Sequence, residues 1–157
     1  MSSDAVGNGV LAQVAIVVRD IEEGRARFAQ LLGQPAPPII VTSPGDEVQM
    51  SYRGEPSNAQ CKLAFFNLGP VQLELIEPMG GASTWQEALD KKGEGVHHIA
   101  FWTEDMQASV DALREQQVPM IQRGDMGEGQ YAYFDGEPRL GVVIELLEKS
   151  RKTRAVP

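Results

Sequence analysis

The chain repeats itself, and a repeat limits a fold more than any composition does. Set QVAIVVRDIEEGRARF, from Gln13, above HIAFWTEDMQASVDAL, from His98, 85 residues further on. Ala15 falls on Ala100, Asp20 on Asp105 and Phe28 on Leu113. Each segment reads as a short apolar strand, an Asp N-cap and an amphipathic helix. Ile21, Phe28, Leu31 and Leu32 are expected on one helix face, and Met106, Val110 and Leu113 on the other's. Asp20 with Glu23 forms a capping box, and Gly33 is a stop signal. The ends of the halves match as well: LELIE at 73–77 resembles IELLE at 144–148, setting Glu74 against Glu145 and Glu77 against Glu148.

Between each helix and its last strand lie further strand-like runs, CKLAFFNLG in the first half and GQYAYFDG in the second. The spacing predicts an α+β fold of two halves, residues 11–79 and 95–148, in one domain, each a strand and a helix followed by two or three strands. QPAPPIIVTSPGDE is punctuated by proline and glycine, which predicts a loop or an irregular edge strand. STWQEALDKKGEG bridges the halves as a connecting helix over 84–92, with Thr84 and Glu87 as its expected capping box. Residues 1–10 are expected to be extended or disordered, and 149–157 to form a basic tail.

The net charge of −8 over 157 residues argues against a nucleic-acid partner, since phosphate binding needs a basic face. The single cysteine excludes an internal disulfide and fits a reducing compartment. No apolar stretch reaches membrane-spanning length, and MSSDAVGNG lacks the marks of a signal peptide. The expectation is a cytoplasmic protein with no membrane partner.

Alternation along the strands then picks out four polar residues. Gln13 shares a face with Ala15 and Val17, and His98 with Ala100 and Trp102. Glu74 shares a face with Gln72 and Ile76, and Glu145 with Val143 and Leu147. Their neighbours are mostly apolar, and a buried carboxylate needs a partner or a cation. Singly, each of the four could be a core or surface residue. Together, at corresponding positions of two halves, they are expected to converge on one point. His97, one residue before His98, is expected on the opposite face in a structural role.

VAIVVRDIEEGRARF, VQLELIEPMG, GEGVHHIAF with TEDM, and GVVIELLE together resemble the vicinal oxygen chelate superfamily of glyoxalase I, methylmalonyl-CoA epimerase, extradiol dioxygenases and bleomycin-resistance proteins. The resemblance implies two βαβββ modules forming a cupped mixed β-sheet around one divalent metal ion, held by Gln13, Glu74, His98 and Glu145, and a homodimer. IEPMGGASTWQEALDKKGEGVHHIAF is most similar to the methylmalonyl-CoA epimerase group. Two features depart from that group, which usually has His at the position of Gln13 and a His-Pro-Lys segment where this chain reads YAYFDGEPRLG. The Gln, Glu, His, Glu set resembles that of some glyoxalase I enzymes.

An oxygen-rich ligand set suits Co, Ni, Mn, Zn or Mg. The resemblance implies an isomerase or epimerase that moves a proton next to a carbonyl, with Glu145 as the leading base and Glu74 second. The substrate expected is an acyl-CoA, or a 2-oxo compound as its thiol adduct. The alternatives are a glyoxalase I-like lyase acting on a hemithioacetal, a ring-cleaving dioxygenase, or a metal-free small-molecule binding protein. The dioxygenase ranks low because its iron triad needs two histidines on one side. Lys91, Lys92 and Arg123 are candidates for the phosphates of a CoA substrate.

Overall fold

The computed structural model describes residues 6–149. The expectations for residues 1–5 and 150–157 lie outside the described residues. The order of elements is β1 (Leu11–Val17), α1 (Ile21–Leu32), β2 (Ile40–Val41), a 3₁₀ turn (Gly45–Val48), β3 (Ser51–Tyr52), β4 (Glu55–Pro56), β5 (Cys61–Leu68) and β6 (Val71–Pro78). After α2 (Thr84–Lys92) come β7 (Gly95–Trp102), α3 (Met106–Glu115), β8 (Met120–Met126), β9 (Gly129–Phe134), α4 (Glu137–Leu140) and β10 (Val143–Glu148). All ten strands join one sheet in the order β2-β5-β6-β1-β7-β10-β9-β8-β3-β4.

The repeat sits at the centre of that sheet. β1 runs antiparallel to β7, and each is flanked by a parallel strand of its own half, β6 beside β1 and β10 beside β7. The proline-rich stretch supplies the two-residue edge strand β2, as expected. The hairpin β3–β4 departs from the two-module plan. It belongs to the first half in sequence yet pairs with β8 of the second, Ser51 opposite Arg123.

This crossing makes the sheet curl. In a flat sheet β2 and β3 would stand eight strand spacings apart, roughly 38 Å at ~4.8 Å each. Ten residue steps join Val41 to Ser51, reaching at most ~36 Å fully extended. Four of those residues form the 3₁₀ turn, which shortens the reach further. The two ends of the sheet must therefore approach one another, and a cup results.

The two faces of the cup are packed differently. On the convex side α1 covers Ala64, Phe66, Leu73 and Leu75, and α3 covers Ala132, Phe134, Ile144 and Leu146. Inside, Ala15, Val17, Ile76, Tyr133 and Val143 pack around Trp85 of α2. Leu31 departs from its expected position and is 77% exposed. At 100° per residue it stands about 80° off the stripe that Ile21, Phe28 and Leu32 define.

The helix ends follow the repeat. Asp20 accepts from the Glu23 N–H and Asp105 from the Ala108 N–H. Gly33 closes α1 in the left-handed region, at φ 64°. The N-cap of α2 is Ser83, which accepts from Gln86 N–H, so the expected box is shifted back by one residue and Thr84 is buried in the first turn. The paired glutamates of the closing strands supply a second cap to each helix. Glu77 Oε2 accepts from Ile21 N–H at 2.9 Å and Glu148 Oε2 from Met106 N–H at 2.6 Å.

Glu148 is 2% exposed and also accepts from Gln130, whereas Glu77 is partly open and pairs with Lys62. Glu148→Gln should therefore cost about 1.5–3 kcal/mol of stability, the usual worth of a hydrogen bond to a charged group. Glu77→Gln should cost less. Urea denaturation of the two variants checks the ranking.

Candidate metal centre

Three of the four expected site residues meet on the floor of the cup. His98 Nε2 lies 2.8 Å from Glu145 Oε2 and 4.0 Å from Glu74 Oε2. One ligand atom from each of Glu74, His98 and Glu145 lies within 4.8 Å of the others. All three are buried, His98 completely. Gln13 stands beside them, its amide end 3.2 Å from both Glu74 Oε2 and Glu145 Oε2.

Strand register explains the convergence. Ala15 lies opposite both Glu74 on β6 and His98 on β7. Ala100 lies opposite both Gln13 on β1 and Glu145 on β10. The four polar side chains thus surround two repeat-related alanines, each fully buried. A methyl group at those positions leaves the space above the sheet to the longer side chains.

Electrostatics says what that space can hold. Two buried carboxylates repel, and each carries a desolvation penalty of several kcal/mol. Burial pushes the Glu74 carboxyl up to about 8; the neighbouring His98 pulls it down, while the Glu145 charge adds to the rise. Burial alone would lower the His98 pKa, but Glu145 and then Glu74 outweigh it and hold the ring above the ordinary histidine value. His98 Nε2 nevertheless finds no hydrogen bond of good geometry, so a buried nitrogen faces two carboxylates unpartnered. A divalent cation satisfies all of these groups together, and this donor set could hold one.

The Gln13 amide can face the cluster in either of two orientations. In one, its nitrogen donates to Gln72 Oε1 at 2.7 Å, which turns its oxygen toward the carboxylates. Turned over, its nitrogen would donate to both carboxylates instead. A cation favours the first orientation and an empty cluster the second. Gln72 is in turn held by Asn67 Oδ1 at 3.2 Å. Its role was open to sequence reasoning, because it lies two residues before Glu74 on the same strand face.

His97 overturns an expectation. Between Ala15 and Ile16 the register of β1 against β7 slips, with His98 opposite Ala15 and Val96 opposite Ile16. His97 is the extra residue, and a bulge breaks the alternation of faces. Its ring therefore lies on the same side as that of His98, edge-on at 5.1 Å between centroids, with the two Nδ1 atoms 2.8 Å apart. Burial, then the neighbouring His98 charge, holds the His97 pKa well below the ordinary value. The opposite-face argument against an iron triad fails with it, yet His97 lies outside the cluster of ligand atoms.

A cavity of about 390 Å³ opens over the cluster. Gln13, Glu74 and Glu145 form its polar end, and Met50, Leu63, Phe65 and Tyr131 form apolar walls. Phe66 and Phe134 are packed in the convex core. A second cavity, about 290 Å³, lies beyond His97 and is lined by Arg53, Lys91 and Lys92 among others. These cations are matched there by Glu87 and Glu137: Arg53 and Lys91 pair with Glu87, and Lys92 pairs with Glu137. Arg123 donates to Gln130 at 2.9 Å. Among the described residues no helix is long and apolar enough to cross a membrane.

Ionising Glu74 is resisted in the folded metal-free protein, so its share of stability is present below pH 4.5 and is lost as the pH rises toward about 8. Cation binding needs the ionised form and must displace that proton. Affinity for a divalent ion should rise below pH 8 by about tenfold per pH unit for each proton displaced, and then level off. Calorimetry in buffers of different ionisation enthalpy should find at least one proton released near neutral pH, from Glu74, with His98 adding to it. Affinity independent of pH between 6 and 8 would contradict the raised Glu74.

The comparisons agree with this geometry. The sequence profile of the Glyoxalase/Bleomycin resistance protein/Dioxygenase superfamily matches residues 12–134. The chain is 30% identical over 142 residues to the uncharacterised protein YqjC of Bacillus subtilis, covering 88% of this chain and 91% of that protein. It is 30% identical over 134 residues to the ethylmalonyl-CoA/methylmalonyl-CoA epimerase of Cereibacter sphaeroides, covering 85% of this chain and 81% of that one. A variant of Streptomyces coelicolor methylmalonyl-CoA epimerase, solved in complex with 2-nitronate-propionyl-CoA, superimposes with a TM-score of 0.62 at 25% identity, over 90% of this chain and 94% of that chain. With its cupped sheet and its Glu-His-Glu cluster, the chain belongs to the Glyoxalase/Bleomycin resistance protein/Dioxygenase superfamily, the vicinal oxygen chelate fold.

Proposed function

We propose that the protein is a metal-dependent epimerase of acyl-CoA thioesters, acting on the acidic carbon next to the thioester carbonyl. The observation that carries this reading is the placement of Glu74 and Glu145. They come from equivalent strands of the two halves, and both face the His98 Nε2 atom, at 4.0 and 2.8 Å. Epimerisation needs a proton taken from one face of a carbon and one returned to the other, and two carboxylates related in this way supply both. The likeness to epimerases of malonyl-type CoA thioesters supports the same substrate class.

Gln13, Glu74, His98 and Glu145 would hold the ion, which is Co, Ni, Mn, Zn or Mg on the chemistry of the donors. A divalent ion bound there supplies Lewis-acid stabilisation of the charge that develops on the carbonyl when the neighbouring proton leaves. The protein's own groups do the rest. The apolar walls of the 390 Å³ cavity exclude water and strengthen every charge interaction inside it. Glu145 takes the proton as the leading base, and Glu74 is the second carboxylate. Lys91 and Lys92 of α2 line the second cavity and pair with Glu87 and Glu137, so CoA phosphates would have to displace those pairs to reach them.

A second reading has its own support. The neutral amide of Gln13 at the cluster gives the set seen in the glyoxalase I resemblance, and a lyase acting on a hemithioacetal would use the same proton abstraction. The substrate separates the two. Deuterium should enter methylmalonyl-CoA from D₂O at the carbon between its carbonyls, with no turnover of the hemithioacetal of methylglyoxal and glutathione. Turnover of the hemithioacetal alone would support the lyase. Glu145→Gln should keep its fold and retain metal more weakly, while exchange falls by about 10²–10⁴-fold. Exchange at the wild-type rate in that variant would move the base to Glu74.

A further inference from the structure

We infer that His97 is the positioning residue for the candidate ligand His98: its Nδ1 accepts the Nδ1–H of His98 and so leaves the His98 Nε2 lone pair facing Glu74 and Glu145. The inference rests on the reading of Glu74, His98 and Glu145 as metal ligands. A neutral imidazole has one N–H, and the nitrogen that binds a cation cannot carry it. The ring proton of His98 must then sit on Nδ1, where His97 Nδ1 stands 2.8 Å away. A hydrogen bond in the other direction would put the His98 proton on Nε2, beside Glu145, and close the site to a cation. The direction of one bond between two imidazoles therefore decides whether the site accepts metal.

The surroundings hold the His97 ring in place. It is the extra residue of the β7 bulge and is 3% exposed, so its ring has little freedom to turn. Tyr133 of β9 packs edge-on against it at 5.4 Å, and the Tyr133 hydroxyl accepts from Trp85 Nε1 at 3.0 Å. That contact ties the pair to α2. With Nδ1 accepting, the proton of His97 sits on Nε2, a buried nitrogen with no hydrogen-bond partner of good geometry among the described residues. Ligating histidines usually donate their free N–H to a carboxylate, a carbonyl or water, and losing that partner costs about 10–100-fold in metal affinity. Here a second imidazole fills the place.

The test uses the metal-free full chain and zinc(II) alone, with affinity read by competition against a chelator. His97→Phe keeps a planar ring against Tyr133 but cannot accept. His97→Asn loses the ring, while its Oδ1 can accept near the Nδ1 position. Zinc affinity should fall by about 10–100-fold in His97→Phe and stay close to wild type in His97→Asn. A residue that only fills space would give the reverse order, and that order overturns the inference.

Nitrogen NMR of the zinc-loaded wild type decides the point without a variant, since two histidines give only four ring nitrogens. A protonated Nδ1 on His98, coupled through the hydrogen bond to a bare Nδ1 on His97, is the expected pattern. A proton on His97 Nδ1 would overturn it. Failure of the ligand reading looks different. It would appear as a wild-type protein that binds no zinc, or as His98→Ala binding as tightly as wild type.

Discussion

The antiparallel pairing of β1 with β7 is the seam between the two repeats, and every site residue owes its position to it. The pairing sets His98 across from Ala15 and Gln13 across from Ala100. The parallel partners on either side then bring Glu74 and Glu145 to the same two alanines. A slip of one residue along this seam would turn each of these side chains to the other face. The helix caps reinforce the seam, because Glu77 and Glu148 tie the ends of β6 and β10 to the helices that follow β1 and β7.

Placing two carboxylates in the apolar floor of the cup works against stability and toward chemistry. The same burial that raises Glu74 in the metal-free protein makes its ionisation a cost that a bound cation must offset. A carboxylate kept from water in this way is a stronger base than an exposed one. The scaffold is close to symmetric and the donors are not: glutamates occupy one pair of related positions, and glutamine and histidine occupy the other. The two sides of a bound molecule would meet different chemistry within the same backbone.

Much of this was legible in the sequence because it depends on local period and on repetition. Alternation and the matched ends of the halves named Gln13, Glu74, His98 and Glu145, and those four side chains do lie together. The features that escaped depend on partners distant in the chain. The bulge at His97 is a property of β7 against β1, so reading β7 alone places its ring on the wrong side. The pairing of Ser51 and Tyr52 with Arg123 and Gln122 leaves no trace in either segment. Leu31 was misplaced because a run of apolar residues at a helix end exceeds the width of its buried stripe.

The exchange of strands between halves bears on how the chain comes into being. When residues 1–79 have left the ribosome, β1 still lacks β7 and β3 lacks β8. The nascent first half would present β1 as an open edge, with unpaired backbone groups along Leu11–Val17. Its nearest substitute for β7 is a β1 from another nascent chain, because the repeat makes the two strands alike. Ribosomes crowded on one message would place such edges side by side. The interval between synthesis of β1 and β7 is thus the period in which this protein is most exposed to pairing with the wrong copy of itself.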